Sequence, residues 1–187
     1  MDRMSTRGPG NGLTLIELLL ALVVLCVAVT LASPLLGSLL AHNRLEADAK
    51  RLLGALRLAR SEAVQGNGVV SVCPARVLAG SEPRCAGSYR DGWIVYANRD
   101  RGAQRQPATD RLLGVFAGLP PGYRVTNRRD TRAASSQINY LPDGTTHRNL
   151  TLQICPPRAD VAPLSIVLNS VGRARLQRDW GTCTPGM

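Results

Sequence analysis

The chain has 187 residues, enough for one domain beside an apolar segment and too few for two sizeable domains. Basic residues outnumber acidic ones by 23 to 13, a net charge of +10. Lys50 is the single lysine, so the excess is carried by arginine, whose planar fork of donors suits phosphate and carboxylate. This balance suggests a polyanionic partner without establishing one.

Residues 1–12 are polar, carry Arg3 and Arg7, and end in Gly8-Pro9-Gly10-Asn11-Gly12. No charged residue occurs from position 18 to position 41, a run long enough to cross a bilayer as a helix. The positive segment ahead of it predicts that everything after residue 41 lies outside the cytoplasm. A secretory signal would place a small-x-small cleavage site after the apolar run. None precedes Pro34; instead a glycine stands before the run, in Gly12-Leu13-Thr14-Leu15-Ile16-Glu17. A carboxylate such as Glu17 near the start of a membrane helix is costly and calls for a partner.

From residue 42 to residue 65 the pattern stays helical. Leu45, Ala49, Leu52, Leu56, Ala59 and Ala63 recur at spacings of three and four, with Arg44, Lys50, Arg51, Arg57 and Arg60 mostly off that stripe. The helix is expected to continue from the apolar run, lay one face on a globular domain and end at Gly66-Asn67-Gly68. Strand signals follow at 69–73, 92–96, 111–116, 123–126, 138–141, 150–155, 164–169 and 173–177, with a turn at Pro142-Asp143-Gly144 and a polar loop over 98–110.

Cys26 lies in the apolar run and reads as a small packing residue. Cys73, Cys85, Cys155 and Cys183 lie in the polar part, with no CxxC pair of the kind that holds zinc. Four such cysteines read as two disulfides in an oxidising compartment. Three pairings are possible; the sequential one, Cys73–Cys85 and Cys155–Cys183, is favoured because each pair brackets one hairpin-sized stretch. His42 and His147 have no triad-like neighbours in sequence, and no Gly-rich phosphate loop occurs. No enzymatic activity, metal or cofactor is expected.

The segment Gly12-Leu13-Thr14-Leu15-Ile16-Glu17-Leu18-Leu19 resembles the prepilin peptidase site of type IV pilins and pseudopilins, with Leu13 where the family usually has Phe or Met. The resemblance implies cleavage after Gly12 and N-methylation of Leu13. It also implies a role for Glu17 in assembly, its charge compensated by the N-terminal amine of a neighbouring subunit. Pro34 falls where the family tends to carry a proline, and it would leave the Thr30 carbonyl unpaired in the helix.

Ala59-Arg60-Ser61-Glu62-Ala63-Val64, then Val72-Cys73, Cys85 and Asp91-Gly92-Trp93-Ile94-Val95-Tyr96, look like the GspH/FimT branch. The implied fold is α+β, a type IV pilin fold with a long N-terminal helix packed on an antiparallel β-sheet or sandwich. The implied division is a leader at 1–12, a transmembrane or filament-core helix at 13–41, its amphipathic continuation at 42–66 and a periplasmic β-rich domain at 67–187. Inner membrane, prepilin peptidase and other major and minor pilins are the implied surroundings.

Positions 165–178 read as a hairpin turning at 169–172. On its second strand Arg173, Arg175 and Gln177 share one face while Ala174 and Leu176 face the core. Side chains two apart on a strand lie roughly 7 Å from one another, a spacing suited to successive phosphates. Gly172 permits an unusual turn and removes bulk beside the arginines. Gly172-Arg173-Ala174-Arg175 matches the GRxR motif of DNA-binding minor pilins in this branch. The resemblance implies that Arg173 and Arg175 contact the backbone of double-stranded DNA for uptake in natural transformation. Arg178, Arg148, Arg158 and the group Arg128, Arg129 and Arg132 are candidate helpers by their charge. The competing reading of the motif is a solvated arginine pair on an edge strand. The competing functions are priming of pilus assembly and a minor pseudopilin's part in type II secretion.

Overall fold

The computed structural model describes residues 14–76 and 80–184, without the side chains of residues 31–35. Gly12 and Leu13 therefore lie outside the described residues, as does the side chain of Pro34. Two compact units are distinguished, Met1–Leu40 and Ala41–Met187, and helix α1 (Leu15–Gln65) contributes to both.

In the first unit α1 opens with a reciprocal cap. The Glu17 amide donates to Thr14 Oγ1 at 3.3 Å, and the Thr14 amide and hydroxyl each donate to Glu17 Oε2 at 3.4 Å. Threonine followed three residues later by glutamate satisfies helix-start donors in both directions. The helix is continuous through position 34. Among the described residues no helix is long and apolar enough to cross a membrane. The charge-free run of the sequence passes through residues 31–35, whose side chains are outside that description.

In the second unit the predicted stripe is the buried face of α1. Leu45, Ala49, Leu52, Leu56, Ala59 and Ala63 are inaccessible or nearly so. Small alanines between leucines let the helix approach its sheets closely, and each fully buried leucine contributes roughly 1.5–3 kcal/mol. The helix ends at Gln65; Gly66 and Gly68 close back on the Glu62 and Ala63 carbonyls, and Asn67 between them takes the left-handed conformation (φ 44°).

Two four-stranded sheets follow. The first contains β1 (Val70–Pro74), β2 (Gly92–Ala97), β3 (Leu112–Ala117) and β5 (Ile138–Tyr140), in the order β3-β2-β1-β5. The second contains β4 (Arg124–Thr126), β6 (Leu150–Cys155), β7 (Leu164–Leu168) and β8 (Ala174–Arg178), in the order β4-β6-β7-β8. All pairings are antiparallel. Val70, Val72, Trp93 and Val95 of the first sheet and Leu152, Ile154, Ile166 and Leu168 of the second share one core with α1. The far side of the first sheet holds a smaller cluster of Cys73, Ala75, Ile94 and Tyr96.

The polar stretch 98–110 is a loop, as predicted, and it is tied down. Buried Asp110 accepts from the Arg99 amide at 3.1 Å and the Gln106 amide at 2.8 Å, while Asn98 donates to Ser71 Oγ at 2.8 Å. The disulfides are Cys73–Cys85 and Cys155–Cys183, closing separations of 12 and 28 residues. Among the described residues Cys26 is free and exposed.

Candidate nucleic-acid interface

The β7–β8 hairpin is set by pairing Val167 with Arg175 and Leu168 with Ala174. Its turn closes through Gly172 N to Asn169 O at 2.9 Å and Asn169 N to Arg173 O at 3.2 Å, with the Asn169 side chain accepting from the Arg173 amide at 2.8 Å. Gly172 has φ +78°, a conformation open to glycine and strained for residues with a Cβ. A Cβ there would collide with the Gly144 carbonyl oxygen. The glycine thus makes room for the neighbouring turn at 142–144, rather than for the arginines as the sequence suggested.

Further hydrogen bonds hold the turn from outside. Asn149 Oδ1 accepts from the Ser170 amide at 2.8 Å, and the Thr146 amide and hydroxyl donate to Ser170 O and Asn169 O at 2.8 and 3.0 Å. From α1, Arg60 donates through Nε to Gly144 O at 3.1 Å and through Nη2 to Val171 O at 3.2 Å. Arg60 is a positioning residue that ties both turns to the helix. In the sequence it stands four residues after Leu56, on the edge of the buried stripe, and within the Ala59–Val64 segment that resembles the GspH/FimT branch.

The Cys155–Cys183 bridge lies at the other end of the hairpin. Cys155 ends β6 beside the start of β7, and Cys183 follows β8. The bridge closes the base of the hairpin, and hydrogen bonds hold its turn.

Arg173, just ahead of edge strand β8, and Arg175 within it are exposed, while Ala174 and Leu176 pack against the core. Arg178 belongs by alternation to the Ala174 face. It reaches α1, where its guanidinium lies 3.5 Å from Glu46. The structure therefore does not bring Arg178 together with Arg173 and Arg175.

A groove of about 410 Å³ runs beside the turn, lined by Arg57 and Arg60 of α1, Tyr140 of β5, and Gly172, Arg173 and Arg175 of the hairpin among others. Among the described residues no carboxylate lines it. The nearby α1 carboxylate Glu62 lies 3.6 Å from Arg111. Among the described residues, Arg57, Arg173 and Arg175 form no salt bridge. Tyr140 is fully buried, and among the described residues its hydroxyl has no hydrogen-bond partner. Burial pushes that phenol up to about 12 against the opposing pull of Arg60, so it stays protonated. A groove with several guanidinium groups and no counter-charge is suited to an anion with distributed charge, such as a phosphodiester chain.

The other proposed helpers sit elsewhere. Arg128 stacks over Trp180 at 4.3 Å and donates to its carbonyl at 2.9 Å. Arg129 and Arg132 line a separate cavity with Arg76, Arg90 and Arg124, and Arg158 pairs with Asp160 at 2.7 Å. Arg148 lines a third depression with His147. Among the described residues no cluster of histidine, cysteine and carboxylate side chains could hold a metal.

The family described as Type II transport protein GspH matches residues 48–172. The chain belongs to the GspH family. The match spans most of the helix stripe, the first sheet and strands β4, β6 and β7 of the second, and stops short of β8 and of both paired arginines. In solved structures the GspH-family chain is similar to the type IV minor pilin FimU of Pseudomonas aeruginosa, with a TM-score of 0.50 at 19% identity over 72% of this chain and 89% of that one. It is also similar to the minor pseudopilin EpsH of Vibrio cholerae, with a TM-score of 0.47 at 17% identity over 72% and 97% of the two chains. Comparison with curated proteins gives no match. The α+β fold, a helix packed on antiparallel sheets, is the type IV pilin fold. Members of this family are structural subunits of pili and pseudopili rather than enzymes.

Proposed function

We propose that this GspH-family protein is a minor pilin that binds double-stranded DNA through Arg173 and Arg175 for uptake in natural transformation. The observation that carries the reading is the carboxylate-free groove in which both arginines stand, beside a turn fixed by Gly172, Thr146, Asn149 and Arg60. Few contacts on an exposed strand edge offer charge rather than base readout, so binding is weak and largely indifferent to sequence. Display of many subunits along a filament would raise the overall hold on a long polymer.

The reading includes the route to the filament. Prepilin peptidase cleaves after Gly12, Leu13 becomes the methylated N-terminus, and the charge-free run that follows anchors the chain in the inner membrane. The domain from residue 67 on faces the periplasm and, after assembly, the cell surface. The family's description as a type II transport protein supports a second reading, a minor pseudopilin with no DNA partner.

The test is fluorescence anisotropy of a short labelled duplex titrated with the full chain in neutral detergent. Binding that weakens as salt rises, and that disappears in the double variant Arg173→Gln/Arg175→Gln, is expected. A parent chain that leaves the duplex free at low salt overturns the DNA reading and favours the secretion role.

A further inference from the structure

The hairpin supplies one side of the groove beside the turn, and α1 supplies another. Arg57 is exposed, lines the same groove as Arg173 and Arg175, and among the described residues is paired with no carboxylate. Its neighbour Arg60 is engaged by two backbone carbonyls, at 3.1 and 3.2 Å, and so is committed to holding the turns. The two helix arginines therefore have different work. One braces the hairpin, and the other presents an uncommitted guanidinium to whatever enters.

We infer that Arg57 is a third phosphate contact, so that one backbone strand of the nucleic acid lies in the groove between helix and hairpin rather than against the hairpin alone. This rests on the DNA reading above and adds a residue far from the GRxR motif in sequence. A groove with guanidinium groups on two elements holds a phosphodiester chain from two directions. A strand edge alone offers charge from one. The bracing by Arg60 gives the arrangement a fixed width, because the helix carrying Arg57 and the turn leading into Arg173 are joined directly through the Val171 carbonyl.

The experiment uses the full chain in neutral detergent, with the labelled duplex as probe and affinity measured across a salt series. Each neutralised phosphate adds about 0.9 to the steepness of the log–log salt dependence. Arg57→Gln is expected to lower the slope by about that amount and to weaken binding about tenfold near 50 mM salt. Arg57→Lys, which keeps the charge, should restore most of both. Arg99→Gln removes the same charge from an exposed position outside the groove and should change neither quantity. Thermal melts identical to the parent's establish that the exposed Arg57 variants are folded. If Arg57→Gln behaves as Arg99→Gln does while the hairpin double variant loses binding, the two-sided groove is overturned and the hairpin site stands. If the parent itself does not bind, both fall.

Discussion

Gly172 lies against the carbonyl oxygen of Gly144 so closely that no side chain fits between them. This contact joins the tip of the arginine hairpin to the turn after β5, and Arg60 spans both. Gly172→Ala would force a Cβ into a positive-φ position and into that carbonyl. The first effect costs roughly 1–2 kcal/mol, and the collision adds to it. A loss of about 2 kcal/mol or more in urea unfolding is expected, together with weaker duplex binding although no charge has changed. An unaltered unfolding midpoint would show that the two turns can part freely.

The two disulfides should differ measurably. In the chain-entropy account a closed loop of 12 residues is worth about 3 kcal/mol, and one of 28 residues roughly 0.7 kcal/mol more. Replacing Cys155 and Cys183 together by serine is therefore expected to cost more stability than replacing Cys73 and Cys85. Because the Cys155–Cys183 bridge closes the base of the hairpin and not its turn, the folded fraction of that variant should still bind the duplex. Denaturant unfolding read beside anisotropy separates the two effects.

Much of this arrangement was legible in the sequence, for identifiable reasons. The stripe from Leu45 to Ala63 has an unambiguous helical period. Most strands are runs that include β-branched or aromatic residues and end near glycine, proline or asparagine, so the segments were found to within a residue or two. Which strands are neighbours was not legible, because alternation encodes faces and not partners: β1 lies beside β5 and β4 beside β6 across long connections. The groove was half legible. Arg173 and Arg175 announced themselves by spacing, whereas Arg57 and Arg60 read as a solvated helix face until folding brought them to a hairpin more than a hundred positions away. Arg178 is the reverse case. Its even-numbered position already placed it on the Ala174 face, and period-two alternation alone would have separated it from the arginine pair.

Asp130 gives the domain an acid-sensitive joint. Burial by itself would raise this carboxyl. The Thr184 amide at 2.8 Å and hydroxyl at 3.0 Å, together with Thr126 and the Arg124 guanidinium at 2.8 Å, outweigh it and hold the group below the usual carboxylate range. A depressed folded value means that the stabilisation is fully present above the unfolded value, about pH 4, and is lost as pH falls through the lowered one. Asp130→Asn keeps an acceptor and tolerates the local φ of 55° but removes the charge. The variant should be less stable than the parent at neutral pH, and the gap should close as the solution is acidified. Unfolding curves at pH 7 and pH 3 check this; a gap that widens in acid would contradict the sign.

Glu17 has two separable uses, and one pair of variants distinguishes them. In the chain alone its carboxylate accepts from the Thr14 amide and hydroxyl at 3.4 Å, capping the start of α1. In the proposed filament the same charge is compensated by the freed amine of a neighbouring Leu13, which the leader would otherwise block. Glu17→Gln keeps an acceptor for the Thr14 amide and loses the charge; Glu17→Ala loses both. Capping alone is worth about 0.5–2 kcal/mol, which a long helix tolerates. If charge compensation between subunits governs assembly, both variants should be processed yet fail to enter filaments. Mass spectrometry of the membrane fraction should find each beginning at methylated Leu13, and sheared pili should lack them. A Glu17→Gln chain that assembles as the parent does would assign the residue to the cap, and an intact Met1 terminus in cells with active prepilin peptidase would remove the maturation reading altogether.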